Sequence, residues 1–172
     1  MNKAVMPVVI VLTLVGGWGS IRSEQQGTTC NTPEHRQFDF WIGQWDVFLP
    51  NGQQAGANVI EKKLGDCVLH ERWTGASGSN GESFNVYRRD TQQWHQSWVD
   101  NSGLLLMIEG AFANGSMALR GMTTGPGGEA VLNRITWTPF TADSVQQLWE
   151  TSTDTGATWT VAFDGRYVRT GR

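Results

Sequence analysis

Short runs of alternating apolar and polar residues follow Trp45 along the chain, with turn signals between them. Alternation with a period of two predicts half-buried β-strands, and strands at a spacing of about eight to twelve residues are typical of an all-β barrel or sandwich. The predicted strands are residues 44–49, 54–64, 67–74, 82–89, 92–99, 104–112, 116–123, 130–139, 144–152 and 158–168. The pattern therefore predicts one all-β domain of about ten strands.

Two dipeptides give the strongest hairpin signals, Asn51-Gly52 and Asn114-Gly115. A type I′ turn needs positive φ at both central residues, which Asn and Gly tolerate. Hairpins that follow one another make neighbouring strands antiparallel, so we expect a single antiparallel up-and-down barrel. An even number of strands lets the last strand pair with the first, which leaves no open sheet edge.

The alternating hairpins divide the connections between two ends of the predicted barrel. The base receives the turns at 64–67, 89–92 and 114–115 and the C-terminus. The opposite rim carries the loops around 50–53, 75–81, 100–103, 124–129 and 153–157, which consist mostly of Gly, Ser, Asn and Thr. Small rim loops over a closed base predict a cup with its mouth at the rim.

A helix start precedes the first strand at Asn31-Thr32-Pro33-Glu34. It combines a side-chain cap, a proline where the missing N–H costs nothing, and an acid near the positive end of the helix dipole. Gly43 limits this helix to about two turns. We expect the short N-terminal helix to plug the base of the barrel.

The first 19 residues have the pattern of a secretory signal peptide, with cleavage between residues 19 and 23. Lys3 precedes an apolar run over residues 4–15, and small residues follow at Gly17 and Gly19. The run is short and interrupted by Pro7, which is unlike a transmembrane helix. We therefore predict a periplasmic or secreted protein, with a disordered segment over residues 20–29 and the barrel over residues 30–172.

The charge balance excludes two classes of partner. The chain has 13 basic and 16 acidic residues, and loss of Lys3 with the signal peptide leaves 12 − 16 = −4. A mildly acidic domain has no basic surface for nucleic acid or for an anionic membrane. The predicted outer strand faces carry Arg72, Arg88 and Arg120, which argues against a membrane-spanning barrel.

The two cysteines, Cys30 and Cys67, both follow the predicted cleavage site. Two thiols in an exported chain most often form one disulfide. Such a bond would close a loop over residues 31–66 and contribute roughly 4 kcal/mol of stability by the chain-entropy relation. Since no other Cys or His lies at ligand spacing beside them, we expect neither a metal site nor a cofactor.

Three sequence features carry a resemblance to known proteins. Gly43-x-Trp45 after a short helix, with Arg169 late in the last strand, resembles the lipocalin and fatty-acid-binding-protein superfamily. In that group the Trp closes the barrel base and the Arg packs across it. The segments 38–45, 94–100 and 149–152 further resemble a bacterial family of exported, lipocalin-like domains of unknown function, over roughly residues 30–170.

This resemblance implies a lipocalin-like barrel with a structural base at Gly43, Trp45 and Arg169. It implies no established reaction and no particular ligand. The chain departs from true lipocalins in its larger number of strands. It also lacks the glycine-rich opening of the haem-binding barrels of the nitrobindin type, so haem is not expected.

Strand parity places a mixed set of side chains on the inner face of the barrel. The polar members are Glu71, Asn85, Gln96, Asn133 and Gln147. The aromatic members are Trp73, Tyr87, Trp94, Trp98, Trp137 and Trp149. This lining suits a ligand with an aromatic or ring body and several polar edges. Alternatively, the polar groups satisfy one another through buried water.

Three functions remain open, and we favour the first. In the first, the cavity binds a small molecule. In the second, it is the active site of an isomerase, cyclase or hydrolase in which buried Glu71 acts as acid or base. In the third, the rim or outer surface docks on another envelope component. No common catalytic motif occurs, which favours a binding protein over an enzyme. We expect a monomer or a homodimer.

Overall fold

Ten antiparallel strands close into a barrel in the computed structural model, which describes Met1 and residues 30–170. Each strand pairs with its neighbours in the chain, and the last strand pairs with the first. The strands are β1 (Gly43–Phe48), β2 (Gln54–Lys63), β3 (Val68–Gly75), β4 (Asn80–Arg88), β5 (Gln93–Asp100), β6 (Leu105–Ala113), β7 (Ser116–Thr124), β8 (Ala130–Thr141), β9 (Ser144–Ser152) and β10 (Thr160–Arg169). The predicted all-β, up-and-down barrel of ten strands is confirmed.

Residues 2–29 lie outside the described part of the chain. They hold almost all of the predicted signal peptide and the whole of the segment 20–29. Within the described residues, no helix is long and apolar enough to cross a membrane.

The alternation along each strand determines which side chains fill the barrel. In β2, Gly56, Asn58 and Ile60 are buried while the residues between them are more exposed. In β8 the same parity buries Asn133, Ile135 and Trp137. Because successive side chains point to opposite faces of a strand, one inward residue determines which other residues of that strand point inward.

The two strongest turn predictions have different outcomes. Asn114 and Gly115 both have positive φ, at 53° and 81°, so the turn between β6 and β7 has the expected backbone. The type I′ prediction for Asn51-Gly52 is wrong, because only Gly52 has positive φ, at 83°. Pro50 favours the first central position of an ordinary turn, and the Gly52 N–H donates to the Leu49 carbonyl at 2.9 Å.

The expected N-terminal helix consists of two short 3-10 turns, Pro33–Arg36 and Asp39–Trp41. The N-cap is Thr32, but the expected side-chain cap is wrong, because its side chain makes no capping hydrogen bond to the backbone. A 3-10 helix has three residues per turn, so residues at i and i+3 lie on the same side. This period aligns Phe38 with Trp41, whose rings stack at 4.9 Å.

The aromatic residues of these turns lie in the core. Phe38 and Trp41 are fully buried. The Phe38 ring contacts Trp94 at 5.6 Å and Trp137 at 5.1 Å. The Trp41 carbonyl also accepts a hydrogen bond from Trp45 Nε1 at 2.9 Å. A buried aromatic core therefore occupies the part of the barrel next to the N-terminal turns.

A disulfide joins Cys30 to Cys67, as predicted, with their Cα atoms 4.9 Å apart. The bond ties the start of the described chain to the turn between β2 and β3. The Arg36 guanidinium donates a hydrogen bond to the Cys30 carbonyl and so adds a second attachment for the same segment.

Gly43, Trp45 and Arg169 contact one another where β1 meets β10. The Arg169 guanidinium lies 4.1 Å from the centre of a Trp45 ring. It donates to the Ile42 carbonyl at 2.9 Å through Nη1, and to the Ala142 carbonyl through Nε and Nη2 at 3.1 and 3.0 Å. A side chain at Gly43 would collide with the guanidinium, since an added Cβ would lie 2.1 Å from Nη1.

Replacement of Arg169 tests this arrangement. We expect Arg169→Lys to lower the free energy of unfolding by about 2 kcal/mol, because an ammonium cannot reproduce the planar fork that serves two carbonyls and covers an indole. Arg166→Lys, on an exposed position of the same strand, should change it by less than about 0.5 kcal/mol. Urea unfolding measures the free energy of unfolding of both variants. A loss for Arg169→Lys as small as that for Arg166→Lys would show that the fork contributes no stability.

The outer face combines ion pairs with exposed apolar side chains. Arg134 pairs with Glu150, with Nη2 to Oε2 at 2.8 Å, and its guanidinium also covers Trp159 at 3.8 Å. On the neighbouring strands β4 to β7, several apolar side chains are more than half exposed. They are Phe84, Val99, Leu105, Met107 and Met122. The accessory-protein hypothesis calls for a surface of this kind.

Candidate functional site

A cavity of about 280 Å³ lies inside the barrel, toward the loops that follow β3 and β5. Its volume is close to the lower end of the range of small-molecule pockets, roughly 300 Å³. The lining residues are Glu71, Trp73, Ser79, Asn80, Gln96, Trp98, Asp100, Leu106, Ile135, Gln147, Trp149, Ala162, Phe163 and Tyr167. Ser79 and Asn80 are exposed, so the cavity meets solvent at the end where the sequence predicts the mouth.

Six of the eleven predicted ligand-binding residues line this cavity. They are Glu71, Trp73, Gln96, Trp98, Gln147 and Trp149. They come from strands β3, β5 and β9. Strand parity therefore brings together acid, amides and indoles from distant parts of the sequence.

The other five predicted residues, Asn85, Tyr87, Trp94, Asn133 and Trp137, do not line the cavity. Trp94 and Trp137 pack on Phe38, and Tyr87 contacts the His35 ring at 5.1 Å. Asn85 and Asn133 support lining residues through hydrogen bonds, to Gln96 and Trp149 respectively. Parity predicts the face of a residue but not its height along the barrel, and the N-terminal turns occupy the lower part.

Glu71 is the acid at the floor of the cavity, and it is only 3% exposed. Its Oε1 accepts a hydrogen bond from Asn58 Nδ2 at 2.7 Å, and its Oε2 accepts one from Ser83 Oγ at 2.5 Å. Burial raises the pKa of Glu71 to about 7, although the two hydrogen bonds act in the opposite direction. The carboxyl group can therefore exchange a proton near neutral pH.

Hydrogen bonds extend from Glu71 to both sides of the floor. On one side, Ser83 Oγ accepts from Asn85 Nδ2 at 2.9 Å and from Gln96 Nε2 at 3.3 Å. Gln96 Nε2 also donates to Asn85 Oδ1 at 2.9 Å. Many of the floor's polar groups thus satisfy one another directly. The alternative in which the polar groups satisfy one another through buried water is met in part, but through direct hydrogen bonds.

On the other side, the network reaches Tyr167 and Gln147. Asn58 Nδ2 donates to the Tyr167 hydroxyl at 3.1 Å, and that hydroxyl donates to Gln147 Oε1. Burial, reinforced by the nearby Glu71 carboxylate, raises the pKa of Tyr167 well above its usual range. Tyr167 therefore stays protonated and serves as a neutral link in the network.

Four aromatic residues form the walls above this floor: Trp73, Trp98, Trp149 and Phe163. Glycines in neighbouring strands allow two indoles to lie against the backbone. A Cβ at Gly56 would lie 2.8 Å from the Trp73 ring, and one at Gly81 would lie 2.3 Å from the Trp98 ring. A glycine inside a strand commonly marks such a close approach. The walls are thereby held in position before any ligand binds.

The indole N–H groups of the walls donate to the protein itself. Trp149 Nε1 donates to Asn133 Oδ1 at 3.0 Å. Trp73 and Trp98 donate more weakly, to Ser79 Oγ and Asp100 Oδ2, both at 3.4 Å. The walls therefore offer ring surface to a ligand in place of hydrogen-bond donors.

Asp100 lies at the mouth, at the end of β5. Its Oδ1 accepts from Ser102 Oγ at 2.6 Å and from the backbone N–H of Ser102 at 2.9 Å. Burial acts to raise the pKa of Asp100, but these bonds, with those from Leu104 and Trp98, lower the pKa on balance. Asp100 is therefore a stable carboxylate at neutral pH.

Sequence reasoning missed several residues of the site. The most important are Asn58, Ser83, Asp100, Phe163 and Tyr167. Asn58 could have been found by parity, because it alternates with the apolar Ile60 in β2. Tyr167 could have been found in the same way, because it lies two residues before Arg169, which the resemblance places at the barrel base. Phe163 could not, since the register of β10 shifts between Val161 and Phe163.

Comparison with protein-family models and with curated proteins found no match for this chain. Within residues 30–170, no three His, Cys, Asp or Glu side chains are grouped so that they could hold a metal ion.

Proposed function

We propose that the protein is an exported, lipocalin-like barrel that binds a small molecule in the cavity above Glu71. The observation that carries this proposal is a cavity of about 280 Å³ whose walls are already positioned. Positioned walls favour binding, because little conformational entropy is lost when a ligand enters. The two 3-10 turns would serve as the plug of the base, and Trp45 would close it as the resemblance to lipocalin-like domains implies.

Two features support export. The Cys30–Cys67 disulfide is of the kind that persists in oxidising compartments. The segment over residues 1–19 has the composition of a signal peptide. Together they suit a protein that works in the periplasm or outside the cell.

Native mass spectrometry of the protein purified from its own compartment tests the proposal. We expect a bound mass that is lost on mild denaturation, and a change in tryptophan fluorescence when that compound is added back. Trp98→Phe should reduce the fluorescence change, because Trp98 lines the cavity. The control Trp159→Phe should not, since Trp159 lies under Arg134 and is not among the lining residues. An empty protein with unresponsive tryptophans would overturn the proposal.

An enzyme that uses the same cavity is the second candidate. It is favoured by Glu71, whose pKa of about 7 suits a general acid or base and which lines the cavity. If the identified compound is converted, we expect Glu71→Gln to lower the rate at saturating compound by about 100-fold or more. Conversion at an unchanged rate would exclude Glu71 from the chemistry.

A further inference from the structure

The charges of the cavity lining have one sign. Glu71 lies at the floor and Asp100 at the mouth, while none of the lining residues is Lys, Arg or His. The nearest cationic side chain on β3, Arg72, is on the outer face and pairs with Glu61 at 3.0 Å. An anionic ligand would find no cation here and would face two acids.

Most hydrogen-bond donors around Glu71 are already occupied. Ser83 Oγ and Asn58 Nδ2 donate to Glu71, and Gln96 Nε2 donates to Asn85 and Ser83. The Tyr167 hydroxyl donates to Gln147. A carboxylate has about four lone-pair sites, so Glu71 retains acceptor capacity after these two bonds. The floor is therefore suited to accept hydrogen bonds from a ligand.

The walls suit the same kind of ligand. The ring faces of tryptophan and phenylalanine carry negative potential and attract cations within about 6 Å. Trp73 meets Phe163 edge to face, with ring centres 6.1 Å apart and planes at 80°, so the two rings form a corner. Trp98 and Trp149 complete the aromatic lining.

We propose that the cavity binds a small organic ammonium ion with an aromatic or ring body, whose cationic group lies toward Glu71 and whose ring lies among Trp73, Trp98 and Trp149. This inference rests on the proposed function and specifies its ligand class. The two acids disfavour fatty acids and phosphorylated compounds, because the lining offers no cation to an anionic group. Asp100 adds an attractive charge at the entrance, which favours the approach of a cation.

Three probes of similar size and different charge test the proposal: 2-phenylethylamine, 2-phenylethanol and phenylacetate. Isothermal titration calorimetry at pH 8 keeps Glu71 mostly ionised and the amine protonated. We expect the amine to bind roughly ten- to a hundredfold more tightly than the alcohol, and phenylacetate to bind most weakly.

Two variants separate the role of the charge from that of the fold. Glu71→Gln should remove most of the preference for the amine over the alcohol while the alcohol's own affinity changes little. Glu82→Gln is the matched control, because Glu82 lies on β4 with its side chain half exposed and paired with His70 on the outer face. This variant should keep the wild-type preference.

A change of pH gives a test that needs no variant. Lowering the pH from 8 to 5.5 protonates Glu71, so the affinity for the amine should fall about tenfold or more while that for the alcohol stays constant. The other titratable groups of the lining are Tyr167, which stays protonated, and Asp100, which stays ionised.

The outcomes distinguish this inference from the function on which it rests. Equal affinity for the three probes, or tighter binding of the acid, would overturn the ammonium proposal and leave a binding barrel. No binding of any probe, with an uncharged or anionic compound seen by native mass spectrometry, would do the same. No probe bound and no compound retained would overturn both proposals.

Discussion

Loss of the Cys30–Cys67 disulfide is expected to lower the free energy of unfolding by about 4 kcal/mol. The bond closes a loop with a sequence separation of 37 residues, which includes both 3-10 turns, β1 and β2. Without it the unfolded chain gains the freedom of an open loop of this length. The folded state keeps its hydrogen-bonded barrel, because all ten strand pairs remain.

The measurement is urea unfolding of wild type and of the double variant Cys30→Ala with Cys67→Ala, each with and without reductant. Reductant should destabilise the wild type to the level of the variant and leave the variant unchanged. The variant thus controls for effects of the reductant itself. A loss below about 1 kcal/mol would mean that residues 30–41 stay docked through Phe38 and Trp41 even in the unfolded ensemble.

The topology of the barrel could be predicted because it depends on local signals. Period-two alternation recurs along the strands, and turn residues recur between them. Each predicted strand begins and ends within two residues of the observed one. The disulfide was also predictable, since the alternating hairpins place Cys30 and Cys67 at the same end of the barrel. The turn type at Asn51-Gly52 was mispredicted. Pro50 takes the first central position, so the turn begins at Leu49 and Asn51 is its second central residue.

The cavity could be predicted only in part, because it depends on height along the barrel as well as on face. Trp94 and Trp98 share a face of β5, yet Trp94 packs on Phe38 in the core while Trp98 lines the cavity. The difference arises from where the N-terminal turns end inside the barrel. That depth depends on packing between distant segments, which no local pattern encodes.

Glu71 is expected to make the protein less stable as the pH rises from about 4.5 to about 7. Burial raises the pKa of this carboxyl from 4.5 to about 7 in the folded state. Between these values the folded protein holds a proton that the unfolded chain has released, so each pH unit costs about 1.4 kcal/mol. The total loss is about 3 kcal/mol, complete by about pH 7 and constant above it.

The pH dependence is isolated by comparing wild type with Glu71→Gln in urea unfolding at pH 5 and pH 8. Burial lowers the pKa of His35, which makes stability rise with pH in part of the same range, but this contribution is equal in both proteins and cancels. The introduced amide can donate to Asn58 Oδ1, a buried acceptor without a hydrogen-bond partner among the described residues. We therefore expect the variant to fold and to lose the decline.

Glu82→Gln, on the outer face, should keep the wild-type decline and serves as the control. Identical pH profiles for wild type and Glu71→Gln would mean that the Glu71 carboxyl titrates as it does in water. Water would then reach the floor past Trp73 and Trp98, and the low-polarity environment on which both acid–base chemistry and cation binding depend would be absent.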